Sequence, residues 1–386
     1  MSVKANWNYP TSIRFGAGRI AELPDVLKVA GIAMPLLVTD PGVRKLPMLA
    51  TVLANLENAG RSAAVFSEVQ ANPVDANVEA GVAAYRAGGH DGVIAFGGGS
   101  ALDVGKVVAF MVGQTRPMWD FEDIGDWWMR ADAAGIAPVV AVPTTAGTGS
   151  EVGRAGVITH AASHTKKVIF HPKMMPVITI CDPELTVGLP PYHTAGTGMD
   201  ALAHCIEAYC APGYHPMAEG IAVEGMRLVK ENLARVVADG ADIEARGHMM
   251  SAAAMGATAF QKGLGGIHAL SHPVGALYNT HHGMTNAVFM PYVLAFNDKA
   301  ISDRMARLSM WLGLETHGTT GVIDWILRLR EEVGVPHTLA GLKVDGARID
   351  EIAAAAEVDP TAGANPVKFD RAAARQVFMA ALGGKL

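Results

Sequence analysis

Asp200 and His204 stand four residues apart inside Met199 to Tyr209, a run without Gly or Pro. On a helix that spacing sets both side chains on one face, one turn apart. His268 and His272 repeat the spacing in a second apolar segment, and His282 follows shortly after. One carboxylate and up to four imidazoles can therefore converge. That donor set suits a borderline divalent ion such as Fe(II), Zn(II) or Mn(II). The competing reading is a set of ordinary core and surface histidines, in a chain that has 14 of them. Thiolate chemistry does not compete, because Cys181, Cys205 and Cys210 form no CxxC pair.

A second kind of chemistry is written in glycine. Gly97-Gly98-Gly99-Ser100 follows an apolar run, Gly92 to Phe96, and opens a helix expected from Ser100 to about Val112. Glycines let the backbone approach a ligand with no Cβ in the way. A helix start offers unpaired N–H groups and a positive dipole end, which attract phosphate. Ser100 is the expected N-cap, and Asp103 three residues later would close a capping box. The pattern is not GxGxxG. The other reading is a tight strand-to-helix turn. A further loop, Thr144-Thr145-Ala146-Gly147-Thr148-Gly149-Ser150-Glu151, also follows a strand and crowds hydroxyls against glycines. Asp40 ends a short apolar strand, where a carboxylate accepts from a ribose 2′-OH and repels a 2′-phosphate. It also precedes Pro41-Gly42, so a turn-forming Asp is the alternative. Asn72-Pro73 is a generic turn.

These residues need elements to position them. Strand-like runs at 13–18, 35–40, 63–66, 92–96 and 138–142 alternate with helical runs at 20–29, 46–59, 77–87 and 100–112. That alternation predicts a parallel sheet wound on both faces, a Rossmann-like α/β domain. Past Pro190-Pro191 hardly any strand-like run remains. Helices are expected at 217–237, 243–260, 301–312, 322–333 and 372–382. The expectation is an α/β domain over residues 1–187 and an all-α domain over 188–386.

Composition narrows the class. The 386 residues are 50% hydrophobic and 18% charged, enough to bury a large core. A net charge of −6 without a basic stripe argues against a nucleic-acid partner. No uncharged apolar run reaches the roughly 20 residues a bilayer requires. Met1 to Pro10 has no apolar segment of a secretory signal, and three scattered Cys suit a reducing compartment. The expected location is the cytoplasm.

The histidine-rich segments resemble the signatures of the iron-containing (group III) alcohol dehydrogenases. The glycine loop resembles that superfamily's Gly-Gly-Gly-Ser-x-x-Asp, and the later loop its Pro-Thr-Thr-x-Gly-Thr-Gly-Ser-Glu. The resemblance implies a dehydroquinate-synthase-like fold for the first domain. It implies metal ligands at Asp200, His204, His268 and His282, the last because the family's final ligand directly precedes Gly. It implies Fe(II), with Zn(II) or Mn(II) as alternatives. It implies cofactor contacts from Asp40, Asn72, Gly97, Gly98, Gly99, Ser100, Asp103, Thr144, Thr145, Thr148 and Ser150, with NAD(H) favoured over NADP(H). His272 is the candidate proton relay. The implied activity interconverts an alcohol and its aldehyde or ketone, in a homodimer or larger homo-oligomer.

Where many relatives carry Thr after Ser-Glu-Val, this chain has Gly153, followed by Arg154. With Lys262, Arg154 is a candidate to hold an anionic substrate tail, against the alternative of two solvated cations. Two other readings compete for the whole chain. A dehydroquinate-synthase-like lyase would also use NAD and a metal, but with a richer Lys and Arg set. A non-catalytic metal-bound sensor would need no turnover.

Overall fold

Runs of three to six residues, apolar throughout in the central strands, form the sheet in the first half of the chain, and helices return between most of them. The computed structural model describes residues 9–163 and 165–386. In order the elements are β1 (Ser12–Phe15), α1 (Leu23–Val29), β2 (Pro35–Val38), α2 (Pro47–Asn58), β3 (Ala64–Phe66), α3 (Asp75–Ala87), β4 (Gly92–Gly97), α4 (Gly99–Met111), β5 (Val139–Pro143), β6 (Ala155–His160), β7 (Thr165–Phe170) and β8 (Ile178–Cys181). Six strands form one sheet in the order β1-β8-β5-β4-β2-β3, and every pairing in it is parallel.

A parallel sheet buried on both faces needs apolar residues at every position. β2, β4 and β5 meet that demand. Leu36, Val38, Val93, Ala95, Val139 and Ala141 enter one core. Leu37, Ile94, Phe96, Val140 and Val142 alternate into the other. The C-terminal ends of β4 and β5 lie side by side, with Gly97 opposite Pro143. Both loops singled out in the sequence leave the sheet there, at the strand ends where open α/β sheets bind ligands. The stretch after the second loop, unassigned from the sequence, holds an antiparallel ribbon of β6 and β7 and the inner strand β8.

The second half is helical: α5 (Pro191–Cys210), α6 (Pro216–Ala238), α7 (Ile243–Ala259), α8 (Gly266–Tyr278), α9 (His282–Trp311), α10 (Gly318–Glu332), α11 (Ile349–Glu357) and α12 (Arg371–Gly383). The helix expected at 301–312 is only the end of α9, which runs for 30 residues. Its first part, Gly283 to Leu294, is buried throughout. A helix segment buried on every side shows no polar face and so no clear period to read. The chain divides into two compact units. One comprises 9–145 with 149–188, the other 146–148 with 189–386. Among the described residues no helix is long and apolar enough to cross a membrane.

Candidate metal centre and cofactor loop

Helix α5 starts with Pro at its first turn and carries Asp200, His204 and Glu207 on one stripe, at intervals of four and three. All three side chains are buried. α8 contributes His268 and His272, and α9 contributes His282 from its first position. Glycines bring α5 and α9 together. A Cβ on Gly283 would run into the carbonyl of Gly196. Only bare backbone on both sides lets the start of α9 reach the middle of α5.

The donor atoms converge on the Asp200 carboxylate. Its Oδ1 lies 4.0 Å from His204 Nε2, 3.9 Å from His268 Nε2 and 3.5 Å from His282 Nε2. Asp200, His204 and His268 each present a ligand atom within 4.8 Å of the other two. The Asn286 amide probes what this cluster demands. Its Nδ2 donates to Asp200 Oδ1 at 2.8 Å and lies 3.2 Å from both His268 Nε2 and His282 Nε2. An amide has two hydrogens for those three acceptors. A divalent cation, which takes lone pairs from all of them, fits the donor set better than any arrangement of protons. His281, next in sequence to His282, accepts from the Met284 N–H at 3.4 Å and caps α9 instead.

Protonation follows the surroundings. Burial pushes His204 down to about 4, against the pull of Asp200, so its imidazole stays neutral and can ligate. Burial also opposes charge on His268. The Glu207 hydrogen bond and the nearby carboxylates outweigh it, and His268 ends above the ordinary value. His272 hydrogen-bonds through Nδ1 to Asp359 Oδ2 at 2.9 Å. Its ring lies 5.5 Å from the His282 ring and almost parallel to it. Burial alone would raise the Asp359 carboxyl, but its bonds to His272 and Thr361 hold it below the usual range.

The glycine loop differs from the sequence expectation in its capping. α4 begins at Gly99, with Gly98 as N-cap and no side-chain cap. Ser100 sits inside the first turn, and its hydroxyl donates to the Ala71 carbonyl at 2.6 Å. Asp103 does not close a capping box. Its Oδ1 accepts from the Ser150 hydroxyl at 2.5 Å and its Oδ2 from the Val157 N–H at 3.0 Å. The helix starts earlier than Ser100 because Gly97, at φ +142°, turns the chain straight out of β4. The mouth of α4 is thereby left to backbone, as anion binding prefers.

The other sequence candidates of this unit gather around the loop. Thr144 donates its N–H to the Gly97 carbonyl at 2.9 Å. Thr145 flanks Gly98, whose Cβ would stand 3.3 Å from the threonine methyl. The Ser100–Ala71 bond ties in the turn that holds Asn72. Asp40 divides its carboxylate. Oδ1 accepts from the Gly42 and Val43 N–H groups, the turn role, and Oδ2 lies 3.5 Å from where a Gly97 Cβ would be. Thr148 belongs to the helical unit.

Lys262 departs from the expectation of a substrate contact. Its Nζ bonds Glu219 at 2.8 Å and the Tyr209 carbonyl at 3.2 Å, and its side chain is only 2% exposed. The cation is consumed in fastening the end of α5. Arg154 lies half-buried over the Phe170 ring, 5.4 Å from its centroid.

Three residues around the donor atoms were not found from the sequence: Glu207, Asn286 and Asp359. Glu207 and Asn286 left a signal, since each falls three or four residues after a ligand candidate on the same helix. Asp359 left none, lying 87 residues from His272.

A parallel-sheet domain with a backbone-lined helix mouth suits a nucleotide, and a helical unit in the same chain carries a carboxylate–imidazole cluster that suits a divalent ion. Comparison with known proteins agrees. Residues 10–183 match the family described as iron-containing alcohol dehydrogenase, and residues 194–382 match the C-terminal region of the same family. A 4-hydroxybutyrate dehydrogenase of Cupriavidus necator is 40% identical, covering 96% of this chain and 98% of its own. An NAD-dependent methanol dehydrogenase of Bacillus methanolicus is 35% identical, covering 94% and 95%. The crystal structure of a 1,3-propanediol oxidoreductase superposes with a TM-score of 0.92 at 33% identity, covering 98% of this chain and all of its own. The chain belongs to the iron-containing alcohol dehydrogenase family. It is an oxidoreductase that interconverts an alcohol and its aldehyde or ketone with a nicotinamide cofactor.

Proposed function

We propose that the chain is an NAD-dependent, Fe(II)-type alcohol dehydrogenase or aldehyde reductase whose metal is held by Asp200, His204, His268 and His282. The observation that carries this is the single Asp200 oxygen within 4.0 Å of three imidazole Nε2 atoms, with Asp200, His204 and His268 themselves buried. When bound, the ion supplies Lewis acidity that lowers the pKa of the substrate hydroxyl. The nicotinamide supplies hydride acceptance at C4. Across the reaction, alcohol and NAD⁺ give carbonyl compound, NADH and one proton.

The protein's own groups do the rest. In this reading residues 1–187 bind the cofactor and residues 188–386 bind the metal and the reacting oxygen. Backbone N–H groups at the start of α4 bind the pyrophosphate, with Thr144 and Thr145 beside them. Asp40 Oδ2, the oxygen its turn does not use, accepts from the ribose hydroxyl and selects NAD over NADP. His272 takes or returns the hydroxyl proton at Nε2, while Asp359 holds Nδ1 and fixes the tautomer.

The substrate class we favour carries an anionic tail, as in a hydroxy-carboxylate. The 40%-identical relative is named for 4-hydroxybutyrate, and Arg154 is a cation not committed to the helical scaffold as Lys262 is. Three buried free thiols support a cytoplasmic enzyme, and family membership supports a homo-oligomer.

The test is NADH oxidation by metal-stripped protein reloaded anaerobically with Fe(II), Zn(II) or Mn(II). Substrates are succinic semialdehyde and neutral aldehydes of equal length, with H268A as control. Turnover that returns with metal, favours the anionic aldehyde and is absent in H268A is expected. A protein that takes up metal and NADH but turns over no aldehyde would overturn the dehydrogenase assignment in favour of a lyase or a sensor.

A further inference from the structure

Glu207 is buried, and both of its oxygens are engaged. Oε1 accepts from the Ile267 N–H at 2.7 Å. Oε2 meets His268 Nδ1 at 2.6 Å. Ile267 and His268 lie in the first turn of α8, a helix whose N-cap is Gly265 with no side-chain cap of its own. The first turn is capped from outside instead. Asn365 Oδ1 accepts from the Gly266 N–H at 3.1 Å, and Glu207 takes the next N–H. A cap requires one oxygen. The second oxygen of Glu207 is left to set the imidazole.

A neutral imidazole carries its proton on one nitrogen and a lone pair on the other. A carboxylate cannot donate, so the 2.6 Å bond puts the proton on Nδ1 and the lone pair on Nε2. Nε2 is the atom that faces Asp200, 3.9 Å away. α8 carries the same device one turn later, where Asp359 engages His272 Nδ1.

We infer that Glu207 is a positioning residue for the metal centre: it holds His268 in the Nδ1–H tautomer and, by capping α8 with its other oxygen, seats that helix against α5. This rests on the metal-site reading above. Carboxylate partners of this kind tune a metal-bound histidine's basicity and orientation, and losing one costs about 10- to 100-fold in metal affinity.

E207Q separates the two roles. Its amide oxygen still accepts from Ile267. Its NH₂ now donates to His268 Nδ1, which forces the proton onto Nε2 and removes the ligand lone pair. The experiment is chelator-competition titration of the metal-stripped protein with Zn(II) and Co(II), with thermal melts of each apo protein. For E207Q we expect affinity to fall about 10- to 100-fold, with an apo melting temperature near wild type. For E207D, which keeps a carboxylate on a shorter arm, we expect a smaller loss. Wild-type affinity in E207Q would overturn the inference while leaving the metal site standing. No metal binding by the wild-type protein would overturn the metal-site reading itself. Imidazole ¹⁵N shifts of the wild-type apo protein read the tautomer without any variant. The Nδ1–H form is expected at His268, and the Nε2–H form would overturn the inference.

Discussion

The helical unit and the α/β unit build their candidate sites from opposite materials. Around Asp200 the site is made of side chains: a carboxylate, three imidazoles, and outer carboxylates that engage His268 and the neighbouring His272. At the mouth of α4 it is made of their absence. Gly97, Gly98 and Gly99 clear the approach, and the helix start carries no side-chain cap. A divalent ion demands lone pairs at fixed positions. A pyrophosphate demands N–H groups at close range, which any Cβ obstructs. The first kind of site fails when an atom is removed, the second when one is added.

A matched pair of substitutions breaks the comparison most directly. H204A deletes a proposed ligand, a buried imidazole held neutral by its surroundings. It should cost more than the roughly 100-fold upper range for outer-shell losses, take turnover to background, and leave NADH binding to the apo protein unchanged. G97A adds one methyl where φ is +142° and where the new Cβ would stand 2.9 Å from the Ala101 Cβ. Strain of this kind costs about 1–3 kcal/mol. NADH affinity should fall at least tenfold while metal content stays at the wild-type level. Metal analysis and NADH fluorescence titration on both variants decide it. If H204A weakens NADH, or G97A empties the metal site, the two sites are not built independently.

The same contrast governs what the sequence disclosed. The carboxylate–imidazole cluster was legible because its chemistry lies in residue types, and helical spacing turns Asp200/His204 and His268/His272 into shared faces. Glu207 obeys that rule too, three residues beyond His204, but it was not singled out, because a Glu in a helix has many uses. The glycine loop was legible as a shape. Its capping was not, because Ser100 and Asp103 had distant partners, in Ala71 and Ser150, that compete with the local cap. The parallel sheet followed from the alternation of short apolar runs. The β6–β7 ribbon did not, and the first part of α9 was hidden by being buried on every side. Asp359 meets His272 only through the folded chain, and no local pattern points to it.

Asp40 sharpens the comparison at a position that mixes both materials. One oxygen shapes the backbone turn, and the other lies beside Gly97. D40S keeps a turn-forming oxygen and removes the charge. A hydrogen bond to a charged group is worth about 1.5–3 kcal/mol, so the ratio of kcat/KM for NADH to that for NADPH should fall about 10- to 100-fold. The fall should come from both sides, with NADH weakened and NADPH improved. A ratio that does not move would confine Asp40 to its turn.

A narrower effect, on stability rather than on turnover, concerns a buried acid at the end of the loop that follows β5. Glu151 follows Ser150 and is almost wholly buried. Burial raises its carboxyl from 4.5 to about 7, although its own backbone N–H and the Lys106 charge pull the other way. Lys106 donates to the Ser150 and Ala155 carbonyls and so braces the loop on either side of Glu151. The sign follows from linkage. The folded carboxyl keeps its proton after the unfolded one has lost it, so stability falls as pH rises from about 4.5 through about 7 and levels off above that. The slope in that window is at most about 1.4 kcal/mol per pH unit. E151Q removes the ionisation and keeps the shape. Its melting temperature should decline less than wild type between pH 5 and pH 7.5, with the two proteins closest at the acid end. Parallel curves would mean that Glu151 ionises in the fold as it does in the open chain, and that Lys106 stabilises its charge after all.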